Sequence, residues 1–227
     1  MPSSLDSGPP VDTAAAGHFD PQRLRRLART RLNSKPPLGE DDPGAIGDHD
    51  LNRDQPIEHF ISEAPRPAAV LVPIVARPDG ATVILTRRCD DLPTHAGQVS
   101  FPGGKIDPQD GGPLAAALRE AQEEIGLIAR YVEPLGYLDL YRTGTGYAIV
   151  PAVALVDPGA PLKPDPSEVA AVFEVPLGFL MEPGNHQRHS GVWRGLRRKY
   201  YAMPYGEHYI WGATAGILRN LYNRVYR

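Results

Sequence analysis

LREAQEEIGL, residues 118–127, sets Glu120, Glu123 and Glu124 close together near the end of a predicted helix. Side chains three and four apart share a helix face, where like charges repel by a few tenths of a kcal/mol. Gly126 is a natural helix stop, so the acids crowd the C-terminal end, where the helix dipole disfavours negative charge. Upstream, Pro113 suits the first turn and Asp110 the positive end of the same helix. At about 100° per residue, Leu114, Leu118, Ala121 and Ile125 fall on one narrow stripe, the predicted buried face. The three glutamates occupy an arc of about 100° on the opposite side by the same geometry. A solvated acidic face normally carries Lys or Arg four residues after each Glu. Leu127 and Ile128 stand there instead, and only Arg119, four residues before Glu123, is placed to help. Carboxylates converging there suit a hard divalent cation, whose charge offsets both repulsion and dipole. The preceding FPGGKIDPQDGG (101–112) strengthens the reading, because paired glycines let a backbone carbonyl or amide approach a ligand. The pattern points to metal-dependent chemistry on a phosphate or diphosphate.

The rest of the chain is consistent with a small enzyme. It has 227 residues, 41% hydrophobic and 22% charged, enough for one domain with an extension. A net charge of −3 gives no bulk attraction to nucleic acid or to an anionic membrane. The single cysteine, Cys89, excludes an internal disulfide framework and reads as a small packed residue. No apolar run is long enough for a signal peptide or a membrane span, so a soluble cytoplasmic protein is expected. Residues 1–18 read as a disordered tail and 19–59 as an N-terminal helix and loop extension. In that extension, PQRLRRLARTRLN (21–33) is a basic amphipathic helix offering Leu24, Leu27 and Leu32 to one face, and 35–56 is a linker or surface loop. The main domain spans 60–227. AAVLVPIVA (68–76) and ATVILT (81–86) are strands joined by a hairpin at RPDG, with further strands at 131–141, 147–156 and 191–203. Residues 168–181 are a strand running into a short helix, and 208–226 carry a helical apolar pattern. Trp211 and the nearby tyrosines read as core. Strands mostly neighbour strands, which favours an α+β fold.

The run from Gly104 through Asp110 to Arg119, Glu120, Glu123, Glu124, Gly126 and Leu127 resembles the Nudix box, G-x5-E-x7-R-E-U-x-E-E-x-G-U with U apolar. Asp110 stands where that pattern has Glu, and eight residues rather than seven separate it from Arg119. LTRRCDDLPTHAGQVSFPGG (85–104) is similar to the extended signature of the coenzyme A pyrophosphatase branch, which shares the longer box; Cys89 departs from the usual Ser or Ala. The resemblance implies a Nudix fold, a mixed β-sheet sandwiched between helices (α/β/α). It also implies hydrolysis of the diphosphate of coenzyme A or a derivative to 3′,5′-ADP and 4′-phosphopantetheine, with two or more Mg2+ or Mn2+ ions.

By the same resemblance Glu120 and Glu124 are principal metal ligands, joined by Glu123 and the carbonyl of Gly104 or Gly103, while Arg119 orients a catalytic glutamate. Either Glu123 or an acid from a later loop, for which Glu168 is a candidate, takes the proton. Arg87, Arg88, His95, Gln98 and Ser100 are candidate substrate contacts. The partner is a small molecule, with no nucleic acid or membrane, and a homodimer is left open. The competing readings are a Nudix pyrophosphatase acting on ADP-ribose or a dinucleotide, and a Nudix-fold module that binds a nucleotide without cleaving it. An RNA-end pyrophosphohydrolase is disfavoured by the acidic balance.

Overall fold

The computed structural model describes residues 19–37, 42, 44–60, 64–193 and 195–227, so the predicted tail 1–18 lies outside the described residues. Strands β2 (Arg66–Val75) and β3 (Thr82–Arg88) form the hairpin predicted at RPDG. Strand β8 (Tyr147–Val156) runs parallel to β2 along its whole length. Around these, β6 (Val132–Tyr137) pairs antiparallel with β8, and β9 (Val169–Pro176) antiparallel with β3. Four short strands complete a mixed nine-stranded sheet: β1 (Ile46–Gly47), β4 (Val99–Ser100), β5 (Gly103–Lys105) and β7 (Tyr141–Arg142).

Alternation along the central strands sorts the core into two layers. Ala69, Leu71 and Val75 of β2 face helix α2 (Pro113–Ile125), packing with its Ala116, Ala117 and Ala121. Val72 and Ile74 point the other way, into a layer shared with α1 (Pro21–Arg31), α3 (Leu177–Met181) and α4 (Ala213–Leu221). The sheet therefore lies between helices, as expected of the α/β/α arrangement. Strands as buried on both faces as β2 and β8 read as continuous Val, Ile, Leu and Ala runs, which is why they were legible in the sequence.

Helix α1 docks by Leu24, Ala28 and Leu32, all buried, while Leu27 is half-buried and Arg26 and Arg29 face outward. Its start is capped by Asp20, whose carboxylate accepts from the Arg23 amide at 3.0 Å. Residues 44–56, expected as linker, instead form a strap that is part of the packed structure. β1 pairs in parallel with β7, and Asp48 is buried, accepting from the Tyr141 hydroxyl at 2.7 Å and from Arg198 at 2.6 Å. Turn-forming composition signals irregular backbone, and it carries no information about whether that backbone is buried.

A second, antiparallel sheet joins β10 (Gln187–Trp193), β11 (Leu196–Tyr205) and β12 (His208–Trp211). Asn52 of the strap closes the open edge of β11, donating to the Lys199 carbonyl at 2.9 Å and accepting from its amide at 2.8 Å. The helical pattern read over 208–226 is corrected at its start: 208–211 is a strand, and α4 begins only after Gly212, whose φ is +62°. Period-two packing decides this, with Ile210 in the core and Trp211 on the opposite, half-exposed face rather than in the core. One π turn, Tyr222–Tyr226, ends the chain's last helix. Among the described residues no helix is long and apolar enough to cross a membrane.

Removing the Asp48 carboxylate leaves the largely buried Arg198 guanidinium without its partner. Asp48→Ala is expected to cost about 3–5 kcal/mol in urea denaturation, and Asp48→Asn less.

Candidate active site

Helix α2 spans Pro113–Ile125 and ends at Gly126 in the left-handed conformation, as its sequence signals require. Small residues at positions 116, 117 and 121 let it approach β2 and β5 closely. The buried arc is therefore wider than the predicted stripe, and it takes in two of the glutamates. Glu124 is buried, 4% exposed, and Glu120 is half-buried, so neither lies on the face opposite the core. Only Glu123 is turned outward, its side chain 58% exposed.

The glycine loop is built around these carboxylates. Gly103 has φ +153°, and a Cβ there would collide with the Ala69 carbonyl of the paired strand. Its amide donates to Glu124 Oε2 at 3.3 Å. A methyl on Gly104 would stand 2.5 Å from Glu120 Oε1, so the paired glycines are what allow the Glu120 carboxylate to lie against the strand.

Arg119 gathers the remaining acids. It grips Asp110 in a two-pronged pair, with both contacts at 3.0 Å, and reaches Glu120 and Glu123 at 3.0 Å each. It also donates to the Lys105 carbonyl at 3.2 Å. Asp110 accepts from the Asp107 amide at 2.8 Å, so it ties the loop turn to the helix through Arg119. This guanidinium pushes the Asp110 carboxyl below its ordinary range.

The end of α2 is secured from a distance. The amides of Lys163 and Asp165 donate to the carbonyls of Ile125 and Glu124 at 2.8 and 2.9 Å. These bonds satisfy carbonyls that the helix end leaves without an intrahelical partner. The same loop carries Glu168, whose carbonyl accepts from the Cys89 amide at 2.9 Å, at the end of β3. Arg88 enters from β3, its guanidinium 3.9 Å from Glu124, with its Nε buried and unpartnered. Burial pushes the Glu124 carboxyl up to about 7, opposed by the Gly103 amide and Arg88 and reinforced by the charges of Glu120 and Glu168. Glu120 is also raised, mainly by burial, with Arg119 acting against it and Glu123 and Glu168 with it. Glu168 therefore belongs electrostatically to the same site.

The other predicted contacts lie elsewhere in this arrangement. Arg87 pairs with Asp90 at 3.0 Å. His95, with a left-handed φ of 58°, bonds Gln98 Oε1 at 2.9 Å, closing the exposed 89–98 loop on itself. Ser100 meets the Thr86 hydroxyl at 3.1 Å, joining β4 to β3. The roles of Lys163 and Asp165 had no sequence signal, because backbone amides cap a helix end whatever their side chains.

Comparison with known proteins gives the family. The NUDIX domain model matches residues 65–194. The chain belongs to the Nudix hydrolase family. Relatives described as an uncharacterized Nudix hydrolase, NudL, from Yersinia pestis and Yersinia pseudotuberculosis are 41% identical over 167 residues, 74% of this chain and 83% of each relative. Among solved structures, a MutT/nudix family protein from Enterococcus faecalis aligns at a TM-score of 0.48 with 19% identity, covering 78% of this chain and 67% of that one.

Nudix hydrolases need divalent ions such as Mg2+ or Mn2+. Among the described residues no three His, Cys, Asp or Glu side chains form a ready-made cage. Glu124 is buried and Glu120 half-buried, whereas Glu123 is exposed, and Arg119 reaches both Glu120 and Glu123. This donor set still fits a hard cation. Glu124 is a buried carboxylate with one long amide bond, and Mg2+ uses few carboxylates, taking the rest of its shell from waters and phosphate oxygens.

Two outcomes follow for this Nudix site. A folded-state carboxyl near 7 keeps its proton after the unfolded chain, near 4.5, has released it. The native state then binds more protons across that window, so stability of the metal-free protein falls as pH rises from about 4.5 to 7, by on the order of 3 kcal/mol. Chemical denaturation in chelator should show this loss, and Glu124→Gln should remove most of it. Arg119→Lys cannot reproduce the two-pronged grip on Asp110, and should lower activity roughly 10–100-fold while far-UV circular dichroism is unchanged.

Proposed function

We propose that this Nudix hydrolase cleaves the diphosphate linkage of coenzyme A or its derivatives, giving 3′,5′-ADP and (acyl-)4′-phosphopantetheine. The observation that carries the substrate assignment is the 85–104 run, Thr86, Arg88, Leu92, His95, Gly97, Gln98, Val99, Ser100 and Phe101, continuous with the longer box. The presence of Glu120, Glu123 and Glu124 together supports a catalyst over a module that binds without cleaving.

In this reading Glu120 and Glu124 hold Mg2+ or Mn2+ together with a backbone carbonyl at Gly103 or Gly104, and Glu123 assists. The bound ions would neutralise diphosphate charge and acidify water. Arg119 fixes the positions of Glu120 and Glu123 and ties them to the Asp110 turn. Arg88, the cation facing Glu124, is placed to meet a phosphate oxygen. Water attacks one phosphorus in line, the bridging P–O bond breaks, and a carboxylate takes the water's proton. Both Glu123 and Glu168 are exposed, but Glu123 is held by Arg119 whereas no hydrogen bond or ion pair engages the Glu168 side chain among the described residues, so Glu168 is the acceptor this reading favours.

Purified protein with Mg2+ should turn over coenzyme A faster than ADP-ribose, NADH or nucleoside triphosphates when the nucleotide products are separated and quantified by chromatography. Turnover of ADP-ribose equal to or above that of coenzyme A would overturn the substrate assignment. Glu168→Gln should lower kcat by about 10²–10⁴ with metal affinity retained. If Glu123→Gln has the larger effect, the base is Glu123. Glu124→Gln should abolish hydrolysis in a folded protein.

A further inference from the structure

The segment PLKPDPSE (161–168) runs between two fixed points. Leu162 near its start and Val169 just after it pack into the core layer of α2, while residues 163–168 between them are exposed. An exposed loop is ordinarily more mobile than the elements it joins. This one is tied to both elements that carry the site. On one side, the Lys163 amide donates to the Ile125 carbonyl at 2.8 Å and the Asp165 amide to the Glu124 carbonyl at 2.9 Å. On the other, the Cys89 amide donates to the Glu168 carbonyl at 2.9 Å, and Cys89 Sγ donates to the Pro166 carbonyl at 3.2 Å. Cys89 follows Arg88, which is paired with Val169 of β9 and whose guanidinium lies 3.9 Å from Glu124. The loop therefore bridges from the end of α2 to the end of β3, and Glu168 adjoins the strand pair that carries Arg88. Pro164 and Pro166 flank Asp165 and fix φ on either side of it, which lowers the entropy lost in holding this shape.

Asp165 is where these ties meet. Besides the bond from its amide to Glu124, its carbonyl accepts from the Glu168 amide at 3.1 Å and from the Val169 amide at 2.9 Å. Its carboxylate closes the turn between them, with Oδ1 accepting from the Ser167 amide at 2.8 Å and from the Ser167 hydroxyl at 2.7 Å. One residue thus joins the backbone of Glu124 to that of Glu168. Gly126 admits the loop to this position. Its φ of +69° is one that Asn also tolerates, so a helix stop alone does not demand glycine. A Cβ there, however, would stand 3.0 Å from the nitrogen, oxygen and Cβ of Lys163, and the loop would have to move away.

We propose that Asp165 is a positioning residue for the hydrolysis, fixing Glu168 relative to Glu124, with Gly126 giving the loop its seat on α2. The proposal rests on the reading of Glu168 as the proton acceptor. Glu168 is exposed, and among the described residues its side chain makes no hydrogen bond or ion pair, so its backbone is what places it. A reacting group displaced by about 1 Å can lose roughly 10²-fold in rate, which gives such a tie its value.

Steady-state kinetics on whichever diphosphate the protein turns over fastest, with Mn2+ affinity measured by calorimetry on the metal alone, tests the assignment. Asp165 is exposed, so Asp165→Ala is expected to fold, with unchanged far-UV circular dichroism. It should lower kcat roughly 10–100-fold with KM and Mn2+ affinity unchanged, and Asp165→Asn, which keeps the Oδ1 acceptor, should recover most of the loss. Gly126→Asn suits the left-handed turn and still should lower kcat, because its Cβ displaces Lys163. In a Glu168→Gln background, Asp165→Ala should change kcat by less than about two-fold, since the group it positions is gone. An additive loss in that background overturns the proposal. So does a parallel loss of Mn2+ affinity, which would report distortion of the metal site, or an Asp165→Asn variant as impaired as Asp165→Ala. If Glu168→Gln loses kcat and Asp165→Ala does not, the proposal alone falls. If Glu168→Gln keeps full kcat, the reading of Glu168 as acceptor falls and the proposal with it.

Discussion

The guanidinium of Arg119 holds together a cluster of carboxylates that would otherwise repel one another. It binds Asp110 with two bonds, reaches Glu120 and Glu123, and ties back to the Lys105 carbonyl, so one side chain links the glycine loop, its turn and the helix. A planar fork with fixed donors can do this, whereas a point charge on a flexible stem cannot hold the acids in one geometry. With those acids fixed, the approach of α2 to β5 becomes possible, and Gly103 and Gly104 remove the side chains that would block it.

Glu124 is the cost of that approach. A carboxylate almost without exposure, with one long amide bond and a cation at 3.9 Å, is poorly compensated in isolation. Isolated stability does not favour such a residue; a site that completes its charge balance with a divalent ion and phosphate oxygens does. The loop from Lys163 to Glu168 contributes in two ways, capping the carbonyls at the helix end and bringing another acid to the rim. Fold stability and site chemistry thus share the same few contacts.

The N-terminal strap and the second sheet form a separate stabilising unit. Asp48, Tyr141 and Arg198 make a buried ion pair with a hydroxyl donor, and Asn52 supplies a strand-like donor and acceptor to β11. The unit fixes the second sheet to the rest of the fold through a region far upstream in sequence.

The sequence by itself determined the helix from Pro113 to Gly126, the buried strands of the main sheet and the family, because each depends on local pattern: caps, periodicity and a contiguous motif. It also singled out Arg119, Glu120, Glu123 and Glu124 as candidates, since their spacing along one helix is a short-range property. Which of those glutamates is buried was decided only by tertiary structure. Helical angles gave an arc opposite the apolar stripe, but alanines at 116, 117 and 121 widened the contact and drew Glu120 and Glu124 beneath the glycine loop. The same holds for the 44–56 strap and for Trp211. Turn-rich composition conceals burial, and a four-residue strand beside a helix looks like its first turn until pairing with a distant strand sets its period to two.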